Sequence, residues 1–114
     1  MSRKKLPTPD QDAEFDGYVK KWQTSLGLAD WHIYRRESRA KGAMADVLAD
    51  LPSRQAGYRT GSWGAGVIDS ASMEETALHE MLHVLLHEMK NATEATMESA
   101  EHRAINVLTT LLLK

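Results

Sequence analysis

The sequence contains no cysteine, and this absence excludes every function that depends on a thiol. Disulfide bonds, thiolate-bound zinc and cysteine nucleophiles are all ruled out. The sequence also lacks a large excess of either positive or negative charge, because the net charge is only −2. The one basic patch is much shorter than the basic surfaces that bind nucleic acids. It consists of Arg35, Arg36, Arg39 and Lys41. We therefore do not expect a nucleic-acid partner.

Long apolar runs are missing as well. No run is long enough to span a membrane, and the basic residues at positions 3–5 are not followed by the apolar segment of a secretory signal. We therefore expect a cytoplasmic protein without a membrane partner. A chain of 114 residues that is 42% hydrophobic can build one core but not two. The predicted organisation is a flexible tail over residues 1–8 and a single domain over residues 9–114.

The most informative stretch present is His79-Glu80-Met81-Leu82-His83, inside an apolar run of helical period. Side chains at positions i and i+4 of an α-helix lie on the same face, so His79 and His83 can bind one metal ion together. Glu80 lies one residue further round and can reach a water molecule on that ion. The motif predicts a Zn²⁺ site with Glu80 as the general base. A buried helix that carries polar residues by chance is the competing interpretation, but it leaves three polar side chains to be desolvated.

A catalytic zinc site normally has a third protein ligand. His87 continues the i, i+4 series, but it lies about 12 Å from His79 along the helix axis and cannot share the same ion. The last predicted helix offers Glu101, which shares a stripe with apolar residues that we expect to face the motif helix. That stripe contains Ile105, Leu108 and Leu112. We favour Glu101 as the third ligand, with Glu98 and His102 as alternatives.

Periodicity also predicts the other elements. Helical spacing of apolar residues indicates a first helix over about residues 9–26, capped by Thr8 and ended by Gly27. Alternation indicates a strand from Trp31, in which His32 is exposed. Three further strands are predicted at residues 43–48, 55–60 and 67–69. The glycine-rich segment 61–66 lacks the spacing of a phosphate-binding loop and is predicted to be a flexible loop.

Two helices complete the prediction. Ser72-x-x-Glu75 has the pattern of a capping box, so the motif helix is expected over about residues 73–89. Thr93 is expected to cap a final helix over about residues 94–113, whose core face is predicted to contain Ala104, Ile105, Leu108, Leu111 and Leu112.

Several of these segments together resemble the small zincin-like metallopeptidases encoded by phages and prophages. They are Thr-Ala-Leu before the motif, Val-Leu-Leu-His after it, Glu-His-x-x-Ile-Asn-x-Leu downstream, and Leu28-x-x-Trp31-x-Ile33. The similarity covers about residues 12–113, and its only highly specific part is the motif from His79 to His83. It implies an α+β fold of the minimal gluzincin type: an N-terminal helix, a small mainly antiparallel sheet, the motif helix and a C-terminal helix. It also implies that His79, His83 and a downstream acid bind zinc.

The expected function is hydrolysis of peptide bonds in a peptide or protein substrate. The zinc-activated water attacks, Glu80 is the general base, an edge strand at residues 54–60 aligns the substrate, and Tyr58 or Tyr34 is the candidate oxyanion donor. The alternative function is a non-catalytic, zinc-stabilised protein-interaction module of a mobile element. That alternative requires a closed four-ligand site, built from His79, His83, Glu101 and either His102 or His87.

Overall fold

The computed structural model describes residues 5–64, 66–91 and 94–112, the last segment without the side chains of 94–100 and 112. Its elements, in chain order, are α1 (Pro9–Ser25), β1 (His32–Arg35), β2 (Ala45–Asp50), β3 (Gln55–Thr60), α2 (Ser70–Lys90) and α3 (Glu94–Leu112). The fold is therefore α+β, as predicted. No helix in the described part of the chain is long and apolar enough to cross a bilayer.

The three strands form a mixed sheet in the order β1-β3-β2. β2 and β3 are an antiparallel hairpin, whereas β1 pairs with β3 in parallel. The prediction of a mainly antiparallel sheet is therefore corrected to a mixed one. Residues 36–44 carry the chain from β1 past the position of β3, so that β3 inserts between the two earlier strands. As a result β2, rather than residues 55–60, is an edge strand.

The predicted first helix is confirmed. Thr8 and Gln11 form a reciprocal capping box at the start of α1, with Pro9 in the first turn. Gly27 has a φ of 70°, which explains why a glycine follows the end of the helix. Phe15 and Val19 of α1 are buried against the rest of the core.

The motif helix begins earlier than predicted. Its N-cap is Asp69, whose carboxylate accepts a hydrogen bond from the Ser72 backbone N–H at 2.8 Å. Ser72 therefore occupies the third helical position and does not cap the helix itself. The predicted strand over residues 67–69 is wrong, because this segment is the non-helical lead into that cap.

The core lies between α1, α2 and the face of the sheet that carries Ala56 and Tyr58. The rings of Phe15 and Tyr58 join α1 to this face, with 5.9 Å between centroids. α2 also packs along β2, and this contact places the motif beside the sheet edge.

The predicted core face of α3 is confirmed only in part. Ala104 is buried and Leu111 packs against the core, as predicted, whereas Ile105 and Leu108 are 49% and 51% exposed and Val107 is buried in their place. Arg103 fixes this orientation, because its guanidinium donates to the Gly27 carbonyl and to both oxygens of Asp30. The predicted cap Thr93 and the side chain of Leu112 lie outside the described residues.

Residues 5–8, part of the predicted tail, pair with the glycine-rich segment. The Lys5 N–H donates to the Gly64 carbonyl at 3.2 Å, and the Trp63 N–H donates to the Lys5 carbonyl at 2.8 Å. Pro7 and Trp63 are both buried. The segment around Trp63 therefore contributes to the core.

Candidate metal centre

The two histidines of the motif converge, as their spacing on α2 requires. Nε2 of His79 and Nε2 of His83 are 3.1 Å apart, and the rings stand at 80° to each other. Two nitrogens bound to one tetrahedral zinc at 2.0–2.1 Å would be about 3.3 Å apart. The pair therefore fits a zinc ion with little rearrangement. With Glu80 it forms a group whose ligand atoms all lie within 4.8 Å of one another.

Glu80 differs from its neighbours in burial. It is 6% exposed, whereas His79 and His83 are both exposed. Burial raises the pKa of Glu80, and the two histidine rings oppose that rise. A raised pKa makes a carboxylate a stronger proton acceptor, which is the property that a general base needs.

The motif opens into a cavity of about 480 Å³ between α2 and β2. Ala45, Asp46, Val47, Leu48 and Ala49 line it from the strand, and His79, Glu80, His83 and His87 line it from the helix. The predicted aligning strand, residues 54–60, is the central strand β3, and its prediction as an edge is wrong. β2 is the edge strand that borders the motif.

Asp46 is a residue of this cavity that sequence reasoning missed. Its carboxylate forms two hydrogen bonds with Arg59 of β3, at 2.9 and 2.6 Å. These hydrogen bonds and the charge of Arg59 lower the pKa of Asp46 below its ordinary value. The only feature of the sequence that could have pointed to Asp46 is the presence of an acid among the apolar residues of β2. Its position in the same cavity as His79 depends on how β2 packs on α2, which the sequence does not show.

Glu101, the residue predicted as the third ligand, is not part of this group. Glu101 is exposed and lies outside the cluster, together with the exposed Ile105 and Leu108. Its predicted place at the interface with α2 was wrong, because α3 turns its Ala104 face inward. His102 is exposed too, and the side chain of Glu98 lies outside the described residues. Glu101 as the third ligand stays a prediction.

Neither tyrosine considered as an oxyanion donor lines the cavity. Tyr58 is buried in the core, and its hydroxyl donates to Asp16 at 2.5 Å. Tyr34 is on the other face of the sheet, where it stacks on the exposed His32. Sequence reasoning could not make this distinction, because it requires knowing which face of the sheet the helices cover.

No protein-family model, curated protein or solved structure matches the chain. The resemblance to zincin-like peptidases therefore stays a prediction that rests on the sequence segments quoted above.

Proposed function

We propose that this protein is a zinc-dependent metallopeptidase that hydrolyses peptide bonds in an extended peptide or protein segment. The observation that carries this proposal is the 3.1 Å convergence of His79 and His83 beside the buried Glu80, at a cavity along an edge strand. A structural zinc site needs a closed set of ligands. Both histidines are exposed to the cavity, which favours a site that admits a substrate.

The residues of the motif divide the chemistry between them. His79 and His83 would hold a zinc ion, which when bound would supply the Lewis acidity that activates a water molecule and polarises a peptide carbonyl. Glu80 accepts the proton of the attacking water and then donates it to the leaving nitrogen. Its burial favours this role, because the desolvated carboxylate binds a proton more readily.

The edge strand β2 supplies the alignment. Its outer backbone groups are not paired within the described sheet, so they can form hydrogen bonds with an added strand. An extended substrate laid along β2 would pass directly over His79, Glu80 and His83, because these residues and β2 line one cavity.

Glu101 remains the proposed third ligand. Its carboxylate must approach the two imidazoles more closely than it does in the structure, which leaves it outside the cluster.

The experiment that tests the function is Glu80→Gln. Glutamine keeps the shape of the side chain but cannot accept the proton, so cleavage of casein should fall about 100-fold or more. Zinc content, measured by inductively coupled plasma mass spectrometry, should stay at one per chain because Glu80 is not a ligand. Glu37→Gln, at an exposed position outside the cavity, is the matched control and should retain full activity.

Unchanged cleavage by the zinc-loaded Glu80→Gln variant would refute this mechanism. Loss of zinc from the same variant would instead make Glu80 a ligand of the ion, which would also contradict its role as the general base.

A further inference from the structure

His87 lines the same cavity as the motif but has no role in the proposed chemistry. It lies one helical turn beyond His83, on the same side of α2, and is half-buried. The cleft continues past it into a second cavity of about 590 Å³, lined by the end of β2, the turn that follows and Asn91. A substrate that runs along β2 from the motif into this second cavity must therefore pass the His87 ring.

Two neighbours hold that ring. The indole of Trp31 stands edge-on to it, at 80° and 6.5 Å between centroids. The Asn91 side chain lies 3.2 Å from Nδ1 of His87, measured from its Nδ2 atom. The ring is thus fixed both by packing and by a polar contact.

The contact with Asn91 also determines which ring nitrogen carries the proton. Asn91 Nδ2 donates to the backbone carbonyl of His87 at 3.0 Å, and this bond fixes the amide with its NH₂ group toward the histidine. An NH₂ group only donates, so Nδ1 of His87 must accept. The neutral ring then carries its proton on Nε2.

We infer that His87 is a substrate-binding residue whose Nε2–H donates a hydrogen bond to a backbone carbonyl of the extended substrate. His87 is about 9 Å along the helix axis from the midpoint of His79 and His83, and an extended peptide advances about 3.3 Å per residue. The carbonyl bound by His87 therefore belongs to a residue about three positions from the bond that is cleaved. This inference rests on the proposed function for the identity of the ligand as an extended peptide.

Two experiments test it, and the first is spectroscopic. The ¹⁵N chemical shifts of the His87 ring distinguish a protonated nitrogen from a bare one. We expect the proton on Nε2 in the wild-type protein at a pH where the ring is neutral. A proton on Nδ1 would overturn the inference, because Nε2 would then be a hydrogen-bond acceptor and could not donate to a carbonyl.

The second experiment measures binding. Fluorescein-labelled casein is titrated into zinc-loaded protein that carries Glu80→Gln, which prevents cleavage during the measurement. Adding His87→Phe keeps a ring against Trp31 but removes the donor, and it should weaken binding about three- to tenfold, the range for one neutral hydrogen bond. Adding His87→Gln keeps an amide donor of similar reach, and it should leave binding within about twofold.

His32→Phe is the matched control, because His32 is an exposed histidine that does not line the cleft. Equal losses from His87→Phe and His87→Gln, no loss from His87→Phe, or loss of zinc from either variant would each overturn the donor role. If His87→Phe fails to fold, His87→Asn replaces it, since its shorter amide does not reach the same point.

The outcomes for His87 and for the peptidase can be separated. No casein cleavage by the wild-type protein would refute the peptidase, while the chemical shifts and the binding titration would still report on His87. Normal cleavage with unchanged binding in His87→Phe would refute the role of His87 alone.

Discussion

Three neighbouring residues of α2 differ in exposure, and this difference separates their proposed roles. His79 and His83 share one face of the helix because they are four positions apart, about one helical turn, and this face lines the cavity. Glu80 is rotated toward the sheet and is 6% exposed. The histidine nitrogens are thus open to an ion, while the carboxylate has lost much of its hydration. The same short segment therefore contains both the proposed ligands and the proposed proton acceptor.

At the residue scale, zinc binding should depend on His83. His83→Ala should abolish binding of one zinc per chain, because it removes one of the two convergent nitrogens. Glu101→Ala should weaken zinc affinity more than His102→Ala if Glu101 is the third ligand. Competition with a chromogenic chelator measures all three, and His32→Ala, on the outer face of β1, is the control that should not change.

Retention of stoichiometric zinc by His83→Ala would contradict the site itself. A larger loss from His102→Ala than from Glu101→Ala would transfer the third position to the histidine.

At the element scale, a cluster of ion pairs joins α2, α3 and two loops. Glu88 of α2 is 4% exposed and pairs with Arg54 at 2.6 Å and with Arg103 at 3.1 Å. Both arginines also pair with Asp30, at 3.0 and 2.7 Å. The Glu88–Arg103 contact lacks hydrogen-bond geometry at Oε2, so it is an ion pair only. Arg54, which has a φ of 53°, is held in this unusual conformation between two acids.

Glu88→Gln should therefore destabilise the protein by about 1–3 kcal/mol, because two arginines lose a buried anionic partner. For a domain of this size the melting temperature should fall by about 5–15 °C. Thermal unfolding followed by circular dichroism measures the change. Glu75→Gln, an exposed position on the same helix, is the control and should shift melting little. Equal melting temperatures for the two variants would show that the cluster does not stabilise the fold.

At the scale of the whole molecule, a polar network joins α1, β1, β3 and the loop before β2. Asp12 accepts hydrogen bonds from Arg39 at 2.7 and 3.0 Å and from the fully buried Thr60 at 2.8 Å, and Arg35 lies nearby. Burial alone would raise the pKa of Asp12, but these hydrogen bonds and charges outweigh it and lower the pKa. The network therefore contributes most when Asp12 is ionised.

The pH dependence follows from that sign. Because the folded pKa of Asp12 is below the unfolded value of 3.8, its contribution is present above that pH and is lost as the pH falls through the folded pKa. Asp12→Asn should cost about 1–3 kcal/mol at pH 7, and the difference from wild type should shrink below about pH 4. Urea unfolding at several pH values measures it. Asp10→Asn, in the exposed first turn of the same helix, is the control, and a pH-independent cost for Asp12→Asn would contradict the assignment.

The sequence by itself determined what depends on neighbouring residues. Apolar period, caps and glycines predicted α1 almost to the residue and placed β3 correctly, because these signals act within a few positions. The convergence of His79 and His83 also depends only on local structure, since positions i and i+4 are neighbours on every α-helix. The convergence of the two ring nitrogens could therefore be predicted before any tertiary contact was known.

Only the tertiary structure decided what depends on residues distant in sequence. The bond from Arg103 to Asp30 joins positions 73 apart and turns α3 so that Glu101 and Ile105 face outward. Sheet order made β2 the edge beside the motif and placed Asp46 in its cavity. Periodicity shows which residues of one element share a face, but the element that packs on that face is selected by the contacts of the whole chain.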